Sequence, residues 1–357
     1  MRRAKQERNG GRAAFIATDE SERIKMVNDF FLTEWFFYLV RWLYSVLGNS
    51  YFLTILIVTL VLRAVQIFPD IKSRKSQRQQ AALQPEIEKL QERYANNPQK
   101  LQQEQSKLMK ENGVSMLAGC LPMLLTLPIF FSFLAAFRFW GYEQTIKLTY
   151  ETITEPKQAE ETYDSFKLLW ITNVWQPDSI FSPVVPTAQN VKSYPKLENL
   201  VIFRKGYTKL NGEKVEGEEI WNVFCENGIA KGQFETDSMS LLPTDEAQKA
   251  YDELMSQYTS GYNNGWCILP ILAAVFQFLS AWISQKQTQK NNPAAAKQQK
   301  QMNFMMWLFP LMSIWFCMTS TSAFALYWVL SSMIQIATGT VINWAMNKEG
   351  NTQKVTK

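Results

Sequence analysis

Residues 54–69 read TILIVTLVLRAVQIFP, and this stretch decides the fold. With Tyr51–Leu53 it gives a run of predominantly apolar residues long enough, at about 1.5 Å per residue, to cross the roughly 30 Å of hydrocarbon in a bilayer. Four further segments qualify in the same way: Leu117–Trp140, Trp266–Ile283, Met302–Met318 and Ala323–Met346. The sequence therefore predicts an all-α polytopic membrane protein with five transmembrane helices. A sixth apolar block, Phe30–Leu47, carries Glu34, Arg41 and Ser45 near one helical face. A charge at the centre of a span costs about 2.5–3.5 kcal/mol, so the block reads as an amphipathic helix lying in the interface (residues 30–48), with a true span as the alternative. The side on which the basic tail 1–29 lies depends on that choice.

Charge placement orients the chain. Lys72–Lys110 carries nine basic residues, and the link 284–301 (SQKQTQKNNPAAAKQQKQ) carries four Lys and no acid. The tail after Met346 has Lys348, Lys354 and Lys357 against Glu349, whereas Gly141–Gly265 has 11 basic and 19 acidic residues. In a five-span chain all three basic segments share one side, which the positive-inside rule makes the cytoplasm. The C-terminus then lies inside and the segment 141–265 outside.

The cytoplasmic segment 70–116 reads as a helical hairpin. QPEIEKLQERY begins at Pro85, suited to a first helical turn, ANNP interrupts it after Tyr94, and a second helix begins at Pro98. Leu83, Ile87, Leu90 and Tyr94, then Leu101 and Leu108, form only a thin apolar seam. In the outer segment, Asn211-Gly212 and Asn227-Gly228 stand between residues of strand character, a hairpin signal. A helix capped by Thr244 is expected from Asp245 to Gln257. Together these predict a small β-rich insert over about 192–259.

Arg63 lies about two-thirds of the way along the first span, and the other four spans contain no Asp or Glu. A guanidinium cannot shed its proton, so it either snorkels or sits in a hydrated groove with a polar wall. Thr126, Gln277, Ser280, Tyr327 and Gln335 supply such groups from three other spans, although each alone is also an ordinary interhelical contact. With no His anywhere and no acid in those spans, no acid–base machinery is evident, so no enzyme, cofactor or metal site is expected. Four Cys without CxxC spacing read as small apolar residues, or as a disulfide joining Cys225 to Cys267 or Cys317. A charged groove would also suit a small-solute transporter, but no inverted repeat or intramembrane acid supports one.

The order of these features resembles the YidC-type membrane protein insertases. The matching stretches are LTLVLRAVQIFPDIKSRKSQR, LQPEIEKLQERYANNPQKLQQEQSKLMKENGVSMLAGCLPMLLTLPIF, LLWITNVWQPDSI and MMWLFPLMSIWFCMTSTSAFALYWVLSSMIQI. The resemblance implies a five-helix core around a hydrophilic groove open to cytoplasm and lipid, with an outer amphipathic helix before the first span. It also implies that Arg63 receives the hydrophilic part of a nascent membrane protein, whose apolar part slides into lipid along the third and fifth spans. The hairpin, with Pro85, Tyr94, Pro98 and Leu101, would recruit substrate or ribosome. A secretory translocon and membrane lipids are implied partners, and nucleic acid is not. Two departures stand out: the family often has Gln where this chain has Thr126, and about 80 residues intervene between WITNVWQPDSI and the third span.

Overall fold

The structure, a computed structural model, describes residues 31–113, 121–209, 212–259, 263–291 and 299–355. At 31, 32, 34, 77, 80, 81, 121–127, 287–291, 299–306 and 349–355 it describes the backbone alone. Helices dominate. In chain order they are α1 (Phe31–Val46), α2 (Tyr51–Ala82), α3 (Gln84–Arg93), α4 (Pro98–Glu111), α5 (Leu121–Thr154), α6 (Pro156–Ser165), α7 (Ala188–Lys192), α8 (Val201–Lys205), α9 (Gly217–Glu226), α10 (Asp245–Met255), α11 (Ile268–Asn291), α12 (Gln299–Thr319) and α13 (Ser322–Val355). Among the described residues, three helical stretches are long and apolar enough to cross a bilayer: Tyr51–Ser76, Ile268–Lys286 and Ser322–Lys348. The apolar stretch Trp307–Thr319 of α12 is shorter, and α5 begins among residues whose side chains lie outside the description.

α2 and α5 run well beyond the apolar stretches that define them. α2 passes through Pro69 and continues to Ala82. α5, at 34 residues, is about 51 Å long, so its second half, Gly141–Thr154, must leave the hydrocarbon. Eight of the ten residues from Glu143 to Thr152 are nevertheless buried, on every face of the helix, because the segment that follows α5 closes around it. The threonines there satisfy their own hydroxyls within the helix: Thr145 donates to the Gly141 carbonyl (3.0 Å), Thr149 to that of Thr145 (2.8 Å) and Thr152 to that of Leu148 (2.6 Å). Side chains from α8, α9 and α10, with Trp221, Phe203, Phe224 and Tyr251 buried, share one apolar core with Ile146 and Leu148 of α5.

The insert is helical, which corrects the expectation of a β-rich unit. Among its described residues the strands are two antiparallel ribbons of two residues per strand: β1 (Tyr207–Thr208) with β2 (Lys214–Val215), and β3 (Ala230–Lys231) with β4 (Ser240–Leu241). Of the expected Asn211-Gly212 turn, Asn211 lies outside the described residues, and Gly212, between β1 and β2, takes a φ of +87°. Asn227-Gly228 instead ends α9: Gly228 takes a φ of +69°, and the N–H of Ile229 returns to the Phe224 carbonyl at 2.8 Å. A left-handed glycine after a helix serves this stop as well as it serves a hairpin, and the spacing of Ile220, Trp221 and Phe224, all buried, is that of an amphipathic helix. At α10 the cap is as expected, with the Thr244 hydroxyl accepting the Ala247 N–H at 3.2 Å.

α1 lies along α5 and α2. Phe36, Phe37 and Val40 are buried, while Trp35 and Trp42 are exposed. Arg41 pairs with Glu143 of α5 at 3.1 Å, which gives the guanidinium a partner in this apolar helix. The Ser45 hydroxyl donates to the Trp42 carbonyl (2.7 Å), and the Glu34 side chain lies outside the description. Cys225, Cys267 and Cys317 are free thiols, and Cys120 is outside the described residues.

The loop 168–186, which holds WITNVWQPDSI, joins the helix ends. Buried Asp178 accepts the N–H groups of Cys267 (3.1 Å) and Leu269 (2.7 Å), so a carboxylate sits at the N-terminus of α11, where the helix dipole favours it. The Asn264 amide donates to the carbonyls of Asn173, Gln176 and Pro177. Ser322 and Ala323 at the start of α13 donate to Gln176 and Val174. The start of α11, the start of α13 and the second half of α5 thus meet at one end of the bundle, and the hairpin α3–α4 hangs from α2 at the other.

Candidate functional site

α2 and α13 bring the polar residues of the spans together. Arg63 donates from Nε to the Ser331 hydroxyl at 2.7 Å and from Nη2 to Gln335 Oε1 at 3.5 Å. Tyr327, Ser331 and Gln335 are four residues apart in turn and so share one face of α13. The sequence offers Arg63 no acidic partner in the other spans; the fold supplies two neutral ones, Ser331 and the expected Gln335, and a hydrogen bond from a charged donor contributes about 1.5–3 kcal/mol. That offsets much of the cost of a cation at this depth. The guanidinium is half-buried against α13, while its neighbours Ala64 and Val65 are exposed.

Towards the insert the site ends in aromatic packing. The Tyr327 ring lies 4.3 Å from Phe133, Phe133 packs edge-on against Phe137 (4.8 Å) and against Phe36 of α1 (5.5 Å), and Phe133, Phe137 and Phe324 are fully buried. Towards the hairpin the α2–α13 interface stays polar. Asp70 of α2 is half-buried. One turn on, Arg74 lies over Gly339, where a Cβ would come within 2.6 Å of its Nη2; the missing side chain lets the guanidinium reach the helix. Arg78 Nη2 donates to the Asn343 carbonyl (3.4 Å) and Asn347 Oδ1 (2.7 Å). A seam of arginines from α2 therefore meets small and polar residues of α13 at 331, 335, 339, 343 and 347.

Gln277 attaches to a neighbouring face of α13. The Ser332 hydroxyl donates to Gln277 Oε1 at 3.4 Å, and adjacent helical residues point about 100° apart. Ser280 is half-buried on α11, three residues further on. Thr126 lies on α5, with its side chain outside the description. Ser331, Ser332, Arg74, Arg78 and Gly339 are absent from the sequence expectation, though the four-residue spacing from Tyr327 to Asn347 was there to be read.

In the hairpin, Pro85 and Pro98 stand exposed in the first turns of α3 and α4, and the Asn97 side chain caps α4 by accepting the Lys100 N–H (3.1 Å). Tyr94 follows α3, with the Lys100 ammonium 5.4 Å from its ring centroid, and Leu101 is half-buried. The apolar contact is thin: Leu83 and Ile87 are buried against Leu108 and Met109.

A family model described as 60Kd inner membrane protein matches residues 42–214 and 219–349, a range that takes in Arg63, the α13 face and the hairpin. The chain belongs to this family. Among curated members it is 34% identical over 147 residues to the Membrane protein insertase YidC of Clostridium perfringens (strain 13 / Type A), covering 41% of this chain and 52% of that protein. It is 41% identical over 101 residues to that of Clostridium tetani (strain Massachusetts / E88), 28% of this chain and 46% of the relative. Against that of Jannaschia sp. (strain CCS1) the identity is 46% over 104 residues, 29% and 16% of the two chains. The chain thus spans about half the length of these relatives, or less. Membership of the YidC family, expected from the motifs, is established, and with its apolar helices it makes this a bacterial membrane protein.

Proposed function

We propose that this family member is a membrane protein insertase with no enzymatic activity. It takes the hydrophilic segment of a nascent membrane protein against Arg63 and releases the apolar segment into lipid. The observation that carries this reading is the Arg63–Ser331–Gln335 contact: a permanently charged donor held between spans by neutral partners keeps its charge for a ligand. In this reading five spans (α2, α5, α11, α12 and α13) form the core, with Thr126, Gln277, Ser280, Tyr327 and Gln335 around the groove. α1 lies in the outer interface. The aromatic packing at Tyr327 and Phe133 fits closure on the outer side, and the arginine seam fits an approach from the cytoplasm. The hairpin and the C-terminus are cytoplasmic, and the hairpin receives substrates; ribosome, secretory translocon and lipids are partners. The relatives' printed name, membrane protein insertase, supports the assignment.

The test is reconstitution of the purified chain into vesicles with a short single-span substrate. The expected outcome is insertion, scored as a protease-protected fragment, well above protein-free vesicles. Insertion no better than in empty vesicles removes the assignment.

A further inference from the structure

A second site lies at the other end of the bundle, away from Arg63. A cavity of about 270 Å³ opens between α5, the loop 168–186, α7 and the link from α12 to α13. Arg138, Tyr142, Asn190, Tyr194, Thr319 and Thr321 line it, and no Asp or Glu is among its lining residues. That is unusual in its setting, because Gly141–Gly265 carries 19 acids against 11 bases. Tyr142 and Tyr194 stack with centroids 3.9 Å apart and make a firm wall. Arg138 is exposed, so the cavity presents a cation among hydroxyl and amide groups. Such a set recognises an anion with several oxygens.

Its position indicates which anion. Thr319 ends α12 and Ser322 begins α13, so their link marks the edge of the membrane. Trp315, one turn before Thr319, is 62% exposed, as interfacial aromatics are. On α5, Phe131, Leu134 and Arg138 are spaced i, i+3, i+7 and share one face. Leu134 is half-buried and Phe131 is 53% exposed, so an apolar track leads from the cation down towards lipid. We propose that this cavity binds an anionic glycerophospholipid, with its headgroup phosphate on Arg138 and an acyl chain along Leu134 and Phe131.

The test uses the full chain, delipidated in detergent and given phosphatidylglycerol or phosphatidylcholine, with retained lipid counted by native mass spectrometry. Wild type is expected to hold one phosphatidylglycerol in marked preference to phosphatidylcholine. Arg138→Gln should lose about tenfold of that preference, whereas Arg138→Lys, which keeps the cation, should lose much less. Unchanged retention by folded Arg138→Gln overturns the site. So does full displacement of the lipid by equimolar inorganic phosphate, which marks a free-anion site, or displacement by an acidic peptide, which marks a polypeptide site. Should Arg138→Gln not fold, Asn190→Asp, which places a carboxylate in the cavity, is expected to lower retention likewise; retention at the wild-type level there also overturns the proposal.

Discussion

Asp178 and Leu269 are 91 residues apart in sequence, yet the carboxylate of the first accepts the backbone N–H of the second at 2.7 Å. The same carboxylate takes the Cys267 N–H and the Trp170 indole N–H. The WITNVWQPDSI stretch thus starts α11. Asp178→Asn keeps the shape but loses the charge, and one of its two oxygens becomes a donor. Thermal unfolding in detergent should show a loss of about 2–3 kcal/mol. A melting curve identical to wild type would show that the cap is dispensable.

Arg63 exposes the proposed function to test. An opposite charge 4 Å from it gains about 4 kcal/mol at an effective dielectric near 20, before desolvation. Even a quarter of that changes a partition ratio about fivefold. Arg63→Ala should therefore fold, yet insert a substrate with an acidic exported segment several-fold less well than wild type, with a smaller loss on a neutral one. Arg63→Lys should retain most activity. Equal insertion of the acidic substrate by Arg63→Ala and wild type would remove Arg63 from the mechanism.

The α3–α4 hairpin holds to itself by Leu83, Ile87, Leu108 and Met109. Deleting Gln84–Lys110 should leave the unfolding midpoint of the bundle nearly unchanged while reducing substrate recruitment, measured by crosslinking to a stalled nascent chain. Loss of detergent-stable protein would make the hairpin structural.

Glu143 gives a pH signature. Burial pushes its carboxyl up from an ordinary 4.5 to about 7, against the opposing pull of Arg41 and the Ile202 N–H. The folded state then holds the proton more tightly than the unfolded one. Its contribution to stability is greatest below about pH 4.5 and is lost as pH rises from about 4.5 to about 7, by about 3 kcal/mol. Glu143→Gln should flatten that slope. Parallel melting of wild type and variant at pH 5 and pH 8 measures it, and equal slopes would contradict the assignment.

For topology, Gln103→Cys and Ser238→Cys are placed singly in a chain lacking its native cysteines. An impermeant thiol reagent added to intact cells should label Ser238→Cys and not Gln103→Cys. The reverse pattern inverts the orientation.

What the sequence showed, and what it hid, follows physical lines. Long apolar runs announced α2, α11 and α13, and local chemistry announced the helix starts at Pro98 and Thr244, because those signals act within a few residues. The outer half of α5 was hidden: TIKLTYETIT is rich in β-branched residues, which favour strands, and becomes helical because the insert packs round it. Asn227-Gly228 misled because a hairpin turn and a helix stop both need a left-handed residue. Ser331 and Ser332 look like filler in an apolar helix; only the packing of α2 and α11 on either side of α13 gives each hydroxyl its partner.

The outer half of α5 also sets an order of events during synthesis. Its sheath is completed only at Tyr258, whose hydroxyl lies 3.0 Å from that of Thr152, so 106 residues must still follow Thr152 before the contact can form. At ribosomal speeds of about 5–20 residues per second, Gly141–Thr154 waits roughly 5–20 s in water. An apolar helix would aggregate or slip back into the bilayer in that interval. The glutamates and threonines of this buried stretch keep it compatible with water until its cover arrives.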